Sequence, residues 1–210
     1  MRCRDLPATR RALLSRDRRR LDATRLRIDP RLRRATSQRS YRGAQRVTRL
    51  TLVRHGHAEP ESDAGDFARK LDARGLSEAR QCGERLHALH YRPGSILASP
   101  AKRTQRTALE LLTALELPES SLQLEPRLYL ADRRSLREIV ATTDASIHHL
   151  LIVGHNPGLS DFAAELCDEP IEALVTGAFC SLQFDATAWR EVVHATAQQW
   201  HQESPSARRT

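Results

Sequence analysis

Residues 49–56 read RLTLVRHG, and this stretch decides the fold. Its apolar part, 50–53, includes a threonine and a valine, which predicts a short buried β-strand. His55 and Gly56 follow where the apolar pattern stops. Residues 56–75 are polar and contain proline and glycine, so they predict a long loop, and a loop of this length in a compact domain is often functional. His55 therefore stands where a buried strand opens into that loop.

Farther along the chain, apolar residues alternate between strand and helix spacing. Strands are predicted at 95–98, 122–124, 149–153, 178–184 and 189–194, the last two around a turn at 185–187. Helices are predicted from an N-cap at Ser77 to about 90, over 101–115, from a cap at Asp132 to 142, and over 158–167. Strands that alternate with helices predict an α/β fold, a three-layer α/β/α sandwich with a mostly parallel central sheet.

The net charge of +8 is distributed unevenly. Residues 1–47 contain sixteen arginines and four aspartates, a net charge of +12, so the rest of the chain is mildly acidic. Apolar residues are sparse in this segment, which therefore cannot bury enough surface to offset the entropy lost on ordering. We expect a disordered extension over 1–47, one domain over 48–195 and a frayed tail over 196–210.

The Arg-rich extension has two further interpretations. Arginine-rich arms bind nucleic acid through its phosphates, but Tyr41 is the one aromatic residue here, so nucleic acid is a disfavoured partner. Lysine occurs only at 70 and 102, against 32 arginines, which indicates a GC-rich coding bias. An upstream in-frame stretch in such a genome also translates as Arg-rich sequence, and Val47 is then an alternative start.

The remaining composition indicates a cytoplasmic protein. No apolar run is long enough to span a membrane, and no secretory signal precedes one. The four cysteines are scattered, at Cys3, Cys82, Cys167 and Cys180, which is typical of reduced thiols and not of a metal or redox motif. We expect a monomeric, cytoplasmic bacterial protein without membrane contact.

Three predicted strands end in residues suited to a single site. Arg54 and His55 close the first strand, Ser99 follows the second, and Gly154 and His155 follow a later one. Because ligands of open α/β sheets bind beyond the carboxyl ends of the strands, we expect these residues to meet.

Arg103 adds a cation in the first turn of the helix that follows Ser99, where the helix N-terminus also favours an anion. Arginines form bidentate hydrogen bonds to phosphate oxygens. Neutral imidazole is a competent nucleophile near pH 7, and a second imidazole, when protonated, stabilises negative charge. His55, His155 and the two arginines thus suit a phosphoryl group. No carboxylates are spaced as metal ligands, so we expect neither a metal nor another cofactor.

The sequence resembles the histidine phosphatase superfamily, which includes the phosphoglycerate mutases. The signature is carried by Leu52–Gly56, by Ser99-Pro100 with Arg103 and Thr107, and by Gly154-His155. A narrower resemblance, to phosphohistidine phosphatases of the SixA type, rests on Asp66–Leu71 with Gly75, Leu128–Ala131, Gly154–Leu159 and Thr176–Ala178. The resemblance spans about 48–195 and implies a phosphoglycerate mutase-like fold.

The resemblance also implies roles for individual residues. The implied catalytic set is Arg54, His55, Arg103 and His155, of which the two arginines and His155 also bind the phosphate. His55 is then the nucleophile. Arg69 and Ser99 are further candidates for substrate binding, although Ser99 also suits the capping of the next helix. Asp66 and Arg69 either contact substrate or pair with each other across the loop, and the pair is the favoured interpretation.

One departure from the family narrows the expected substrate. Larger members use a glutamate general acid where this chain has Tyr129, and the insertion that covers their site is missing here, which implies a minimal lid. A phosphate ester needs its leaving oxygen protonated, whereas a phosphoramidate releases a nitrogen that leaves far more easily. The sequence therefore predicts a metal-independent phosphatase of phosphohistidine, in proteins or small phosphoramidates. Tyr129, Glu125 and Asp66 are candidate general acids.

Two other functions stay open. One is a phosphomonoesterase of the same superfamily, and the other is a nucleic-acid-binding protein acting through the Arg-rich arm.

Overall fold

The computed structural model describes residues 47–60 and 63–205. Of the extension predicted over 1–47, residues 1–46 lie outside the described residues. The strands are β1 Thr48–Arg54, β2 Ser95–Ala98, β3 Leu122–Leu124, β4 His149–Gly154, β5 Phe179–Phe184 and β6 Gln199–Glu203. The helices are α1 Ala73–Ala88, α2 Lys102–Leu115, α3 Arg133–Ala141, α4 Gly158–Cys167 and α5 Trp189–Val192. Short 3₁₀ turns lie at Asp66–Ala68, Glu119–Ser121 and Pro126–Leu128.

The strands form one sheet in the order β3-β2-β4-β1-β5-β6. The first four strands in this order are parallel to one another. β5 runs antiparallel to β1, and β6 antiparallel to β5. β1 lies inside the sheet, because β4 pairs with it along one side and β5 along the other. The mostly parallel central sheet is therefore confirmed.

Helices cover both faces of this sheet. α1 and α2 pack against a core that includes Leu86, Leu111 and Val153. α3, α4 and α5 enclose a second core on the opposite face, which includes Phe162 and Trp189. The three-layer α/β/α prediction is confirmed. Within the described part of the chain, no helix is long and apolar enough to cross a membrane.

The first helix begins earlier than predicted. Its N-cap is Asp72, whose side chain accepts a hydrogen bond from the Gly75 backbone N–H at 2.7 Å. Ser77, the predicted cap, lies inside α1. A β-bridge between Ala58 and Leu71 folds the loop back on itself, so the chain reaches the helix start sooner. The predicted long loop is consequently shorter and partly ordered.

Two glycines bring the loop after β1 against the first turn of α1. A Cβ on Gly56 would lie 2.3 Å from the Gly75 carbonyl oxygen, and a Cβ on Gly75 would lie 1.9 Å from that of His57. Neither position has room for a side chain. This backbone contact fixes the loop that follows His55.

The C-terminal part differs from the prediction in two places. Residues 189–194 begin with the short helix α5 and not with a strand, because the buried Trp189, Val192 and Val193 follow helical spacing. Residues 199–203, predicted as part of a frayed tail, form the edge strand β6. The polar sequence of this edge strand gives little strand signal, so the folded domain extends past its predicted end.

His149 lies at the start of β4, at the end of that strand opposite His155. It is buried, and its Nε2 lies 2.9 Å from the Thr51 hydroxyl. Burial, with a smaller effect from the charge of Arg49, lowers the pKa of His149 to about 3. The folded protein therefore holds this histidine neutral in a pH range where an unfolded chain protonates it.

We expect His149 to make the fold sensitive to acid. An unfolded histidine titrates near pH 6.5, so the free energy of unfolding falls as pH drops below that value, by about 2 kcal/mol at pH 5 from this group. Urea unfolding at pH 7 and pH 5 measures the loss. In His149→Gln the decrease in the free energy of unfolding between pH 7 and pH 5 should be smaller by about 2 kcal/mol. The variant His148→Gln, at an exposed position, should show the same decrease as the wild-type protein. Equal pH dependence in both variants would contradict the assignment.

Candidate active site

The carboxyl ends of β1, β2 and β4 meet at one edge of the sheet. His55 follows β1, Ser99 follows β2 and His155 follows β4. The His55 backbone N–H donates to the Gly154 carbonyl at 3.2 Å, and the Ser99 N–H donates to that of Val153 at 3.1 Å. The structure thus brings the three strand ends together as the sequence predicts.

The hydrogen-bond partners of His55 assign a neutral ring with its lone pair on Nε2. Nδ1 lies 2.8 Å from the Gly56 carbonyl oxygen and donates to it. Arg103 Nε donates to Nε2 at 3.2 Å, and because a guanidinium can only donate, Nε2 carries no hydrogen. Burial, with smaller effects from Arg103 and Arg54, lowers the pKa of His55 to about 4. This is the protonation state that a nucleophilic imidazole requires.

Arg103 connects the groups of this site. It lies in the first turn of α2 and is only 3% exposed. Nη1 donates to the Asp66 carbonyl oxygen at 2.5 Å, and Nη2 donates to Asp66 Oδ2 at 2.8 Å. Nη2 also lies 3.3 Å from Nδ1 of His155. One buried guanidinium therefore contacts both histidines and a carboxylate.

His155 is neutral as well. Its Nδ1 accepts from Arg103, so its Nε2 carries the hydrogen and donates to the Ser99 hydroxyl at 2.9 Å. Burial, followed by the charges of His55 and Arg103, lowers the pKa of His155 to about 3. The protonated form considered from the sequence is therefore not the form found here. A bound phosphoryl dianion would favour the protonated form of His155, because a nearby negative charge stabilises the imidazolium cation.

Arg54 lies at the end of β1 and retains unused hydrogen-bonding capacity. Nη1 donates to the Leu174 carbonyl at 2.9 Å, while Nε is buried without a hydrogen-bond partner. Its charge contributes to lowering the pKa values of both His55 and His155. An unpartnered buried N–H on a cation beside two neutral imidazoles suits a bound anion.

The two weaker substrate-binding candidates lie on different sides of the site. Ser99 is fully buried behind His155, so the structure supports a role in orienting that ring and not the predicted contact with substrate. Arg69 donates to the Glu59 carbonyl at 2.7 Å and to Asp66 Oδ1 at 3.0 Å. The expected pairing of Asp66 with Arg69 is present.

Asp66 has a larger part in the site than a loop pair. Its Oδ2 accepts from both Arg103 and the Tyr129 hydroxyl, the latter at 2.9 Å. Although burial acts to raise it, the pKa of Asp66 is held well below its usual range by hydrogen bonds from Tyr129, Arg103 and Arg69. The sequence carried one signal for the contact between Asp66 and Arg103, because an arginine buried beside the strand ends requires a carboxylate partner.

The three candidate general acids separate in the structure. Tyr129 and Asp66 belong to the hydrogen-bond network of Arg103, and the Tyr129 ring packs edge-on against His155 at 5.5 Å. Glu125 instead accepts three hydrogen bonds from Arg127, between 2.9 and 3.0 Å, and takes no part in that network. Over residues 47–60 and 63–205, no group of three or more His, Cys, Asp and Glu side chains is arranged to hold a metal ion.

Known proteins share this fold and this sequence pattern. The family described as the histidine phosphatase superfamily (branch 1) matches residues 50–129. Phosphohistidine phosphatase SixA of Escherichia coli K12 is 29% identical over 137 residues, which cover 64% of this chain and 84% of that protein. A structure assigned as a phosphohistidine phosphatase SixA, from Nakamurella multipartitia, has a TM-score of 0.64 and 25% identity, over 77% of this chain and 98% of that one.

A further structure, of a protein histidine phosphatase SixA complexed with tungstate, has a TM-score of 0.63 and 25% identity, over 75% of this chain and 97% of that one. Together with the sheet order and the residues at the strand ends, these similarities support assignment to one class: the chain resembles the histidine phosphatase superfamily. Within that superfamily, the similar proteins named here are of the SixA type.

Proposed function

We propose that this domain hydrolyses the N–P bond of phosphohistidine and carries the phosphoryl group on His55 as a covalent intermediate. The observation that carries the proposal is the geometry of His55. Its Nε2 lone pair lies 3.2 Å from a buried guanidinium nitrogen, and its Nδ1 hydrogen is held by the Gly56 carbonyl. A nucleophilic atom is thus presented beside the cation that would bind the group it attacks.

In the first step Nε2 of His55 attacks phosphorus. Arg54 and Arg103 bind the phosphoryl oxygens, and the Nε N–H of Arg54 gains the partner it otherwise lacks. His155 joins them once the bound dianion favours protonation of its Nδ1. The new P–N bond forms as the bond to the leaving nitrogen breaks, and its electron pair returns to that nitrogen. Phosphorylated His55 keeps its hydrogen on Nδ1 and becomes a cation, which the Gly56 carbonyl stabilises.

In the second step a water oxygen attacks phosphorus and displaces Nε2. The electron pair of the broken P–N bond returns to Nε2 and restores the neutral ring. The protons of the water are taken up by orthophosphate and by solvent. No metal is required in either step of this scheme.

The protonation states of the site favour a nitrogen leaving group. Transfer from one imidazole to another breaks and forms the same kind of bond, so it requires no strong acid. Asp66 is held charged by its low pKa, and burial together with Asp66 raises the pKa of Tyr129. Neither candidate offers a readily transferred proton near pH 7, and Glu125 is engaged elsewhere. An ester oxygen would depart unprotonated from this site.

Similar proteins support the same reaction class. Two of the similar proteins described above are called phosphohistidine phosphatases, and one SixA structure is complexed with tungstate, a tetrahedral oxyanion like phosphate. The substrate we propose is a phosphohistidine-bearing protein or a small phosphoramidate in the cytoplasm, and we propose that the domain acts as a monomer.

A comparison of substrates tests the proposal. The wild-type protein is assayed with phosphoimidazole, with a phosphohistidine peptide and with a simple sugar phosphate, and His55→Ala supplies the background of spontaneous N–P hydrolysis. We expect kcat/KM to be at least about 100-fold higher for the N–P substrates, because general acid catalysis of ester cleavage is worth that much. Equal hydrolysis of the sugar phosphate would instead identify a phosphomonoesterase.

A further inference from the structure

The Arg103 guanidinium, which we propose binds the phosphoryl group, is already hydrogen-bonded to the carboxylate of Asp66. Asp66 accepts from Arg103 through both its Oδ2 and its backbone oxygen, at 2.8 and 2.5 Å. A phosphoryl oxygen that binds Arg103 must therefore lie beside a second negative charge. Like charges a few ångströms apart repel, most strongly next to buried groups. Asp66 thus opposes the binding of any ligand that brings negative charge alone.

The same carboxylate is open towards the solvent. The Asp66 side chain is 34% exposed, against 3% for Arg103. Its two oxygens accept three side-chain hydrogen bonds, from Arg103, Tyr129 and Arg69. A carboxylate offers about four acceptor positions, so Oδ1 retains one for a further donor. Arg103 contacts both Asp66 Oδ2 and His55 Nε2, so one guanidinium group links this carboxylate to the attacking nitrogen.

We propose, building on the proposed function, that Asp66 is a specificity-determining residue that accepts the N–H of a protonated imidazole leaving group. Phosphohistidine is then selected by a positive charge next to its phosphoryl group. Free phosphate and phosphate esters of neutral alcohols have no such charge, and Asp66 disfavours them.

The charges and bonds balance in this arrangement. The substrate ring carries the phosphoryl group on one nitrogen and a proton on the other. As Nε2 of His55 bonds to phosphorus, the substrate P–N bond breaks and its electron pair returns to the leaving nitrogen. The proton stays on the other nitrogen, hydrogen-bonded to Asp66, so a neutral imidazole departs. Asp66 itself neither gains nor loses a proton.

Asp66→Asn separates this role from simple support of Arg103. The amide keeps an oxygen that accepts from Arg103 and Tyr129 but removes the charge. We expect kcat/KM for phosphoimidazole to fall about tenfold, and that for p-nitrophenyl phosphate to stay level or rise. The inhibition constant of orthophosphate should decrease about tenfold, because one repulsive charge is gone. Steady-state assays of the full chain measure all three quantities, with circular dichroism to check the fold.

Two further variants act as controls. Asp63→Asn removes an exposed charge from the same loop and should leave all three quantities unchanged. Asp66→Glu keeps the charge and should keep the preference for phosphoimidazole over the ester. If Asp66→Asn does not fold, Asp66→Ser also removes the charge, and the same three quantities are measured on it.

Two outcomes distinguish the possible failures. If Asp66→Asn lowers activity on both substrates equally and weakens orthophosphate inhibition, Asp66 merely holds Arg103 in place, and this inference is overturned alone. If the wild-type protein leaves phosphoimidazole intact at the rate of His55→Ala, the proposed function is overturned, and the inference with it.

Discussion

Replacing His55 by alanine is expected to lower kcat at least about 10⁴-fold, because it removes the nitrogen that we propose forms the bond to phosphorus. The Nε2 of His155 carries a hydrogen that it donates to Ser99, and its Nδ1 accepts from Arg103. Incubation of the wild-type protein with an N–³²P substrate, followed by rapid denaturation, should trap an acid-labile, alkali-stable phosphoprotein. The same treatment of His55→Ala should trap none.

A matched control comes from a histidine outside the site. His148 is exposed, and His148→Ala should retain both the wild-type rate and the trapped phosphate. Label on His55→Ala would mean that another residue is phosphorylated. Full turnover by the wild-type protein without trapped label, at every quench time, would point to direct attack by water on the substrate.

The second large effect is expected at Arg103. Arg103→Lys should lower kcat/KM about 10³-fold, since an ammonium group is a single point charge and cannot contact His55, His155 and Asp66 together with a phosphoryl oxygen. The loss should fall mainly on kcat, because Arg103 contacts His55, the nucleophile that we propose. Separate determination of kcat and KM with phosphoimidazole measures this.

Arg106 offers the control one helical turn later. It is exposed and pairs with Glu110, so Arg106→Lys should stay within about twofold of the wild-type rate. If Arg103→Lys behaves in the same way, a positive charge alone suffices at that position. The contacts of the guanidinium would then have no catalytic role.

The fold was predictable where a sequence pattern is compatible with only one local structure. Continuous apolar residues in β1 and β4 indicated buried parallel strands, and Asp132 caps α3 as expected, accepting from the Ser135 backbone N–H at 2.8 Å. Prediction was wrong where tertiary contacts override local preference. β6 is polar in sequence and becomes a strand only because β5 offers an edge to pair with.

The candidate site likewise has parts that could be predicted from the sequence and parts that could not. His55, Arg103 and His155 follow or begin regular elements, so their meeting at one edge could be derived from the fold class alone. The position of Asp66 could not, because it depends on how a loop folds back through the Ala58–Leu71 bridge. The protonation states of the two histidines were also beyond the sequence, since they arise from burial and from Arg103.

β1 pairs with β4 over Arg49–Arg54 and with β5 over Thr48–Val53, whereas Asp66 lies on a loop outside the sheet. The nucleophile that we propose therefore follows a strand paired on both sides, whereas the carboxylate is held by side-chain hydrogen bonds from Arg103, Tyr129 and Arg69. Under our proposal, substitutions around Asp66 change which leaving groups are accepted, while the position of His55 at the end of β1 stays the same. Within this architecture, new substrate preferences can evolve by remodelling a surface loop while the reaction at phosphorus is inherited intact.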